Sequence, residues 1–427
     1  MRAFLKKFGS QKTRNQSYTI KEIEDFLKVN NIVEFKGAKS NEPLVIQTNN
    51  MGRFVRLSLQ CESSFHLDCI EIFNKAGRNV APNKNTIISS VYNDEEKYNG
   101  QGVIKGTKNG GCGFHTKRER NPWLIIDLKT IRKLDKIVVY NREGIHGARA
   151  YSLVVESSTN LHDWKVEFDN WAFIKNYKNG NATEEETALL YAGIQEPSFA
   201  QAYLRKLKKE NRHDEALKFL TKVNGIVASK NIALGPHGFV QTFALSSDKK
   251  KQKIFKELAE VLRVFNEELK IPAFISSGTL LGIVRDGALI PHDDDVDICY
   301  IGQATSEKEV VEERKILFAK LSEKGYKISH SGLAHYWCTT PGGVSLDIFT
   351  GFLEDGKCSM NPLKRNHVIQ SDVLPLELKQ TNGVQLYLPN NPDVLLSLNY
   401  GDNWRTPDPL WTFNWSLAKK EYSFLYC

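Results

Sequence analysis

No apolar run in the 427-residue chain approaches the roughly 20 residues a membrane-crossing helix needs. The first dozen residues carry charge but no apolar stretch of the kind a secretory leader requires, so a cytoplasmic protein is expected. The seven cysteines, Cys61, Cys69, Cys112, Cys299, Cys338, Cys358 and Cys427, are scattered without C-x-x-C spacing. That argues against both a zinc site and a disulfide framework and leaves free thiols. Internal repeats, low-complexity tracts and nucleic-acid-binding modules are also missing, so no nucleic-acid partner is expected. The net charge of +8 is modest for this length, although Lys6, Lys7, Lys12 and Arg14 form one basic run and Lys249, Lys250, Lys251 and Lys253 another. Such runs are ordinarily solvated faces, and peripheral attraction to the anionic inner face of a membrane is the alternative.

What is present is the composition of a folded protein, 41% hydrophobic and 25% charged, in a chain too long for one comfortable core. Short alternating runs at 55–59, 67–73, 123–128, 136–140 and 152–155, separated by glycine, asparagine and proline, predict an antiparallel β-sandwich. Two amphipathic helices follow at 198–209 and 214–223, joined by a polar turn at Asn211. A capped helix then presents Phe255, Leu258, Leu262, Phe265 and Leu269 on one face and ends at Pro272. Beyond it strands at 273–276, 296–301 and near Lys327, Tyr336 and Ser345 alternate with helices from about Thr279 and over 307–324, which predicts a mixed α/β sheet. The expected plan is a basic segment at 1–30, a sandwich at 31–180, a helical connector at 181–235 and an α/β domain at 236–427.

The chemistry concentrates between Ser276 and Ile298. Along a strand Val296 and Ile298 face one side and Asp295 and Asp297 the other, with Asp293 in the same register if the strand begins early enough. Carboxylates about 5 Å apart at an effective dielectric near 20 repel by roughly 3 kcal/mol per pair, which a bound cation removes. Oxygen-only ligands point to Mg²⁺, with Mn²⁺ as the alternative. Val344, Leu346 and Ile348 define an apolar face by the same parity and turn Asp347 to the opposite side, as a third carboxylate. Ser277, Gly278 and Thr279 lie between a strand and a helix start, where free backbone N–H groups hold phosphate. Arg285, one to two turns on, can reach the phosphates or brace the acidic strand. Together these parts describe phosphoryl transfer.

The motif G-T-L-L-G-x-x-R from Gly278 to Arg285, I-P-x-D-D-D-x-D from Ile290 to Asp297, L-D-I-F from Leu346 to Phe349, and Tyr400, Gly401, Trp404 and Pro407 resemble the LicD/fukutin-related family. The resemblance implies a nucleotidyltransferase-like fold and transfer of a phosphoalcohol, such as phosphocholine or a ribitol or glycerol phosphate, from a CDP-activated donor to a hydroxyl of a cell-surface glycan. It implies Asp295, Asp297 and Asp347 as metal ligands with Asp293 beside them, and Gly278 and Thr279 as the phosphate turn. His292 stands where the family has tryptophan, in the wall of the substrate site. A D-x-D glycosyltransferase, a nucleotidyltransferase that leaves the nucleotide on its acceptor, and a non-enzymatic glycan-binding protein are the rival readings.

In the sandwich, His115, Thr116, Asn121, Pro122, Trp123, Arg142, Gly147 and Arg149 resemble discoidin-like, galactose-binding-type domains of the fucolectin kind. The resemblance implies that His115, Arg142 and Arg149 grip sugar hydroxyls through charged, directional hydrogen bonds. Lys105, Gly106 and Thr107 depart from the Asp-Gly-Asn found near that family's structural calcium. The run from Arg53 to Leu57, which looks like a last strand of such a domain, precedes the rest, so it is either permuted or left over from a lost neighbour.

Overall fold

An 18-residue strand organises the N-terminal half. In the computed structural model, which describes residues 33–172, 183–331 and 334–426 together with Lys21 and Asp25, the chain divides after Lys230 into two units. The basic run from Lys6 to Arg14 and Cys427 lie outside the described residues. In the first unit, β1 (Leu44–Gln47), β2 (Met51–Leu59), β3 (Cys69–Asn74), β4 (Asn85–Ile88), β5 (Trp123–Tyr140), β6 (Leu153–Ser158) and β7 (Trp164–Asp169) form an antiparallel ladder. The first half of β5 pairs with β2 and β4, and its second half with β1 and β3. One strand therefore serves both layers of the sandwich, where the sequence pattern gives two separate strands. Lys129, at φ 71°, sits at the crossing, and the exposed residues around it break the alternation that makes a strand legible.

β2 lies between β5 and β6, with Val55, Leu57 and Leu59 fully buried. The run that precedes the rest in sequence is thus an integral strand of this sandwich. Helices α1 (Glu184–Gly193), α2 (Ser198–Lys209) and α3 (His213–Val227) pack on one another in the same unit. α1 opens with a reciprocal cap, the Thr183 hydroxyl accepting from Glu186 N–H and the Glu186 carboxylate from Thr183 N–H. Its Tyr191 meets Trp171, just past β7, edge to face at 4.6 Å.

The second unit begins with a short hairpin, Ala233–Gly235 paired with Gly238–Val240. Helix α4 (Asp248–Arg263) is capped by the Ser247 hydroxyl and widens into a π-type turn, Val264–Glu268. There the Asn266 side chain donates to the carbonyls of Leu262 and Ala273 and accepts from Ala273 N–H, hooking the helix end to the first strand. The sheet contains β8 (Ala273–Ile275), β9 (Asp297–Ile301), β10 (Lys327–Ser331), β11 (His335–Thr339), β12 (Ser345–Glu354), β13 (Lys357–Met360) and β14 (Val368–Ile369). Its order is β8-β9-β12-β11-β10, with β13 and β14 added beyond the far half of β12. The β9/β12 pairing is parallel and the others are antiparallel, so the sheet is mixed as expected. Helix α5 (Ser277–Arg285) follows β8 and α6 (Glu307–Glu323) follows β9. Ile275, Ile298, Leu346 and Ile348 pack into the core from one face, leaving the alternate residues of β9 and β12 to the opposite face.

Candidate active site

Parallel pairing brings the carboxylates together. Asp297 and Asp347 are direct Cα partners in β9 and β12, and Asp347 N–H donates to the Val296 carbonyl at 2.9 Å. Paired residues of neighbouring strands project to one face, so both side chains leave the sheet side by side. Asp293 and Asp295 arrive differently from the strand alternation expected of them: β9 starts only at Asp297, and Asp293 lies in a turn whose N–H donates to the Ile290 carbonyl. The turn still delivers Asp295, and ligand oxygens of Asp295, Asp297 and Asp347 all lie within 4.8 Å of one another.

Helix α5 closes the other side. The Asp297 N–H donates to the buried Thr279 hydroxyl at 2.8 Å, and Ser276 N–H donates to the Asp297 carbonyl at 3.0 Å, which fastens the helix start to the acidic strand. The first N–H groups of an α-helix have no intrahelical acceptor, so those of Ser277, Gly278 and Thr279 mark a positive end beside the carboxylates. Ser277 takes φ 46°, an uncommon conformation for a residue with a Cβ. A Cβ on Gly278 would lie 2.6 Å from Asp293 Oδ2 and 3.7 Å from Asp297 Oδ2, so only glycine leaves this approach open.

The cluster gathers negative charge that His237 offsets only in part. Burial, with Asp295 adding repulsion, pushes Asp293 up to about 8. Burial and then Asp295 push Asp347 up to about 7. Asp297 is raised well above the ordinary carboxylate range by burial and by Asp295, Asp347 and Asp293. Buried carboxylates that raise one another's proton affinity suit a hard divalent cation, and oxygen-only donors fit Mg²⁺ or Mn²⁺.

Arg285 and His292 are placed less directly. The Arg285 guanidinium is largely buried and gripped by its own neighbour Asp286, Nε to Oδ1 at 3.0 Å and a terminal nitrogen to Oδ2 at 2.8 Å. Among the described residues it makes no hydrogen bond to Asp293, Asp295 or Asp297. His292 sits in the same turn and is held below the ordinary imidazole range, first by burial and then by Arg285.

Three further residues bear on the site in ways the sequence pattern does not give. His237, at the tip of the Ala233–Val240 hairpin, places Nδ1 3.2 Å from Asp294 Oδ1 and 3.9 Å from Asp295 Oδ2. The Asp294 hydrogen bond pushes His237 up to about 9. His237, Asp294 and Asp295 form a second group of ligand atoms within 4.8 Å, sharing Asp295 with the first. Tyr400, the last residue of α7 (Pro392–Tyr400), is raised well above the ordinary phenol range by burial and then by the charges of Asp297 and Asp293, and its ring packs on Trp411 at 4.4 Å. Trp404, from the same sequence block, is core.

In the sandwich, His115 is brought beside Tyr92 and Tyr98, ring centroids 4.6 and 5.7 Å away, and Arg142 and Arg149 both act electrostatically on it. The three expected sugar-binding residues therefore share one neighbourhood.

Two carboxylates on parallel strands and a third from the turn before them, faced by a helix N-terminus, fit a nucleotidyltransferase-like class. Residues 270–391 of the second unit match the LicD/FKTN/FKRP nucleotidyltransferase domain, and residues 86–197 of the first unit match the F5/8 type C domain. The F5/8 type C match begins at β4, although β1 to β3 complete the same ladder. An uncharacterised protein of Rickettsia typhi is 26% identical over 157 residues, 36% of this chain and 47% of that protein, so the chain spans about half the length of this curated relative. Among solved structures, a lincosamide antibiotic adenylyltransferase with lincomycin bound is 23% identical, covering 31% of this chain and 78% of that one at a TM-score of 0.24.

Proposed function

We propose that the second unit is a Mg²⁺-dependent transferase that moves a phosphoalcohol from a CDP-activated donor to a hydroxyl of a cell-surface glycan. The convergence of Asp295, Asp297 and Asp347 within 4.8 Å carries this reading. These three would hold the cation, whose charge would offset that of the donor phosphates and of the leaving nucleotide. Ser277, Gly278 and Thr279 offer backbone N–H groups to phosphate oxygens, and the bare Cα of Gly278 lets the donor approach the carboxylates. The Thr279 hydroxyl accepts from Asp297 N–H, so its side chain positions the strand, and its O–H is left to donate to a phosphate oxygen. An acceptor hydroxyl loses its proton to Asp293 or Asp347 as it attacks the distal phosphorus, and CMP departs with the bond it carried. His292 lines the substrate side of the turn, and Arg285, held by Asp286, adds positive charge near it. In the first unit, His115, Arg142 and Arg149 bind the glycan.

The test is a panel of CDP-alcohols with Mg²⁺ and a glycan acceptor, following labelled cytidine. Acceptor-dependent CMP is the expected product. Release of a nucleoside diphosphate from a sugar nucleotide would mean glycosyl transfer, nucleotide left on the acceptor would mean nucleotidyl transfer, and glycan binding without turnover would mean a binding protein.

A further inference from the structure

The sandwich holds a group of basic side chains larger than the expected three. The short ladder His66–Leu67 with Phe114–His115 makes His66 and His115 direct partners, ring centroids 5.2 Å apart. The turn Ile145–Ser152, which carries His146 and Arg149, packs against that ladder. Asn141 fixes the approach to this turn: its side chain donates to the carbonyls of Phe35 and Gly147 and accepts from Arg142 N–H. A Cβ on Gly147 would lie 2.7 Å from the Arg142 carbonyl, so the loop from Arg142 to Arg149 closes only over glycine.

The group lacks counter-charge. Neither guanidinium forms an ion pair with a carboxylate among the described residues, and Arg149 is destabilised as a cation by burial and then by Arg142, which Glu196 offsets in part. Nearby carboxylates are engaged elsewhere: Asp68 accepts from Gly110 N–H, Glu143 from Ser40, and Glu196 from Ser198 N–H. His66 is 1% exposed, yet neither ring nitrogen has a hydrogen-bond partner among the described residues, which is rare for a buried polar group. Burial and the two arginines keep the imidazoles of His66, His115 and His146 low, His146 at about 4, so the charge resides on the arginines. His115 donates Nδ1–H to the Thr116 carbonyl at 2.7 Å, which leaves Nε2 as an acceptor for a hydroxyl, and the half-exposed Tyr92 ring beside it offers an apolar face. Sugar hydroxyls alone would leave the desolvated Arg149 guanidinium, with the charge of Arg142 acting on it, without an anion.

We propose that this site recognises a glycan through an oxyanion, phosphate or carboxylate, held between Arg142 and Arg149, with His115 and Tyr92 against the sugar ring and His66 and His146 as neutral hydrogen-bonding groups. The inference rests on the sandwich being a sugar-binding domain, and it is independent of the chemistry of the second unit.

The experiment is calorimetric titration of the full chain with glucose 6-phosphate, glucuronate and glucose, repeated on Arg142→Gln and Arg149→Gln. Removing one of two like charges should not unfold the domain, and thermal melting of each variant checks this. At least one charged sugar should bind about tenfold or more tightly than glucose, weakening as salt rises, and each substitution should reduce that binding about tenfold or more. Preference for glucose 6-phosphate over glucuronate identifies the oxyanion as phosphate, and the reverse as carboxylate. Glucose binding as tightly as both charged sugars would overturn the oxyanion while leaving sugar recognition intact. Absence of binding by all three, or binding unchanged in folded Arg142→Gln and Arg149→Gln, would overturn both.

Discussion

Asp297 and Asp347 are register partners across the parallel pairing of β9 and β12, fifty residues apart in sequence and adjacent on one face of the sheet. Neither side chain belongs to the hydrophobic core, which their strand neighbours Ile298 and Ile348 join from the other face. Asp295→Ala, Asp297→Ala and Asp347→Ala should therefore each abolish transfer while the protein remains folded, as judged by circular dichroism and melting. A variant that unfolds would assign the residue a structural part instead.

Acid strength gives a second expectation. Asp293 and Asp347, pushed up to about 8 and about 7, hold more protons in the folded chain than in the unfolded one between roughly pH 4 and those values. Where the native state binds the extra protons, stability falls as pH rises, so the metal-free protein should lose stability through this window. A divalent cation takes the place of those protons, so saturating Mg²⁺ should raise the melting temperature more at about pH 8 than at about pH 5.5. Melting curves with Mg²⁺ or EDTA at both pH values measure this, and an equal increment would count against carboxylate ligation.

Gly278 tests the approach to the site. An alanine there places its Cβ 2.6 Å from Asp293 Oδ2, forcing that carboxylate aside. Displacements of about 1 Å near reacting groups cost on the order of 100-fold, so Gly278→Ala should lower turnover by about that factor with little change in melting temperature. Steady-state kinetics with the donor identified by the panel provide the measurement.

Arg314 of α6 is 2% exposed, its three guanidinium nitrogens have no hydrogen-bond acceptor among the described residues, and its charge lies 4.5 Å over the Tyr336 ring. The ring attraction is worth about 2 kcal/mol when desolvated, against several for burying an unpaired charge. Arg314→Met should therefore stabilise the second unit, by about 1 kcal/mol or more in urea unfolding. Destabilisation would show that stacking outweighs the burial of charge.

The sequence made the sheet and the Asp297/Asp347 face legible because period-two alternation survives wherever one side of a strand is core. Asp295 was reached by the same parity, although in the structure a turn delivers it. His237 was out of reach: it contacts Asp294 across 57 residues, and Gly235, Pro236 and Gly238 announce a turn without saying what it touches. Tyr400 belonged to a recognised block, but only the structure shows that the charges of Asp297 and Asp293 act on it. β5 read as two strands because its exposed middle has no alternation. The α1 helix went unread although Thr183 and Glu186 spelled its capping box. In the sandwich, the resemblance to fucolectin-type domains led to His115, Arg142 and Arg149, while His66 joined His115 only through the pairing of two short strands.

The most direct test of the account is titration of the full chain with Mn²⁺ followed by electron paramagnetic resonance, in the wild type and in Asp295→Ala, Asp297→Ala and Asp347→Ala. The carboxylate centre predicts saturable binding in the wild type, displaced by Mg²⁺ and lost or weakened about tenfold or more in each of the three. Undiminished Mn²⁺ binding in the folded variants would contradict it.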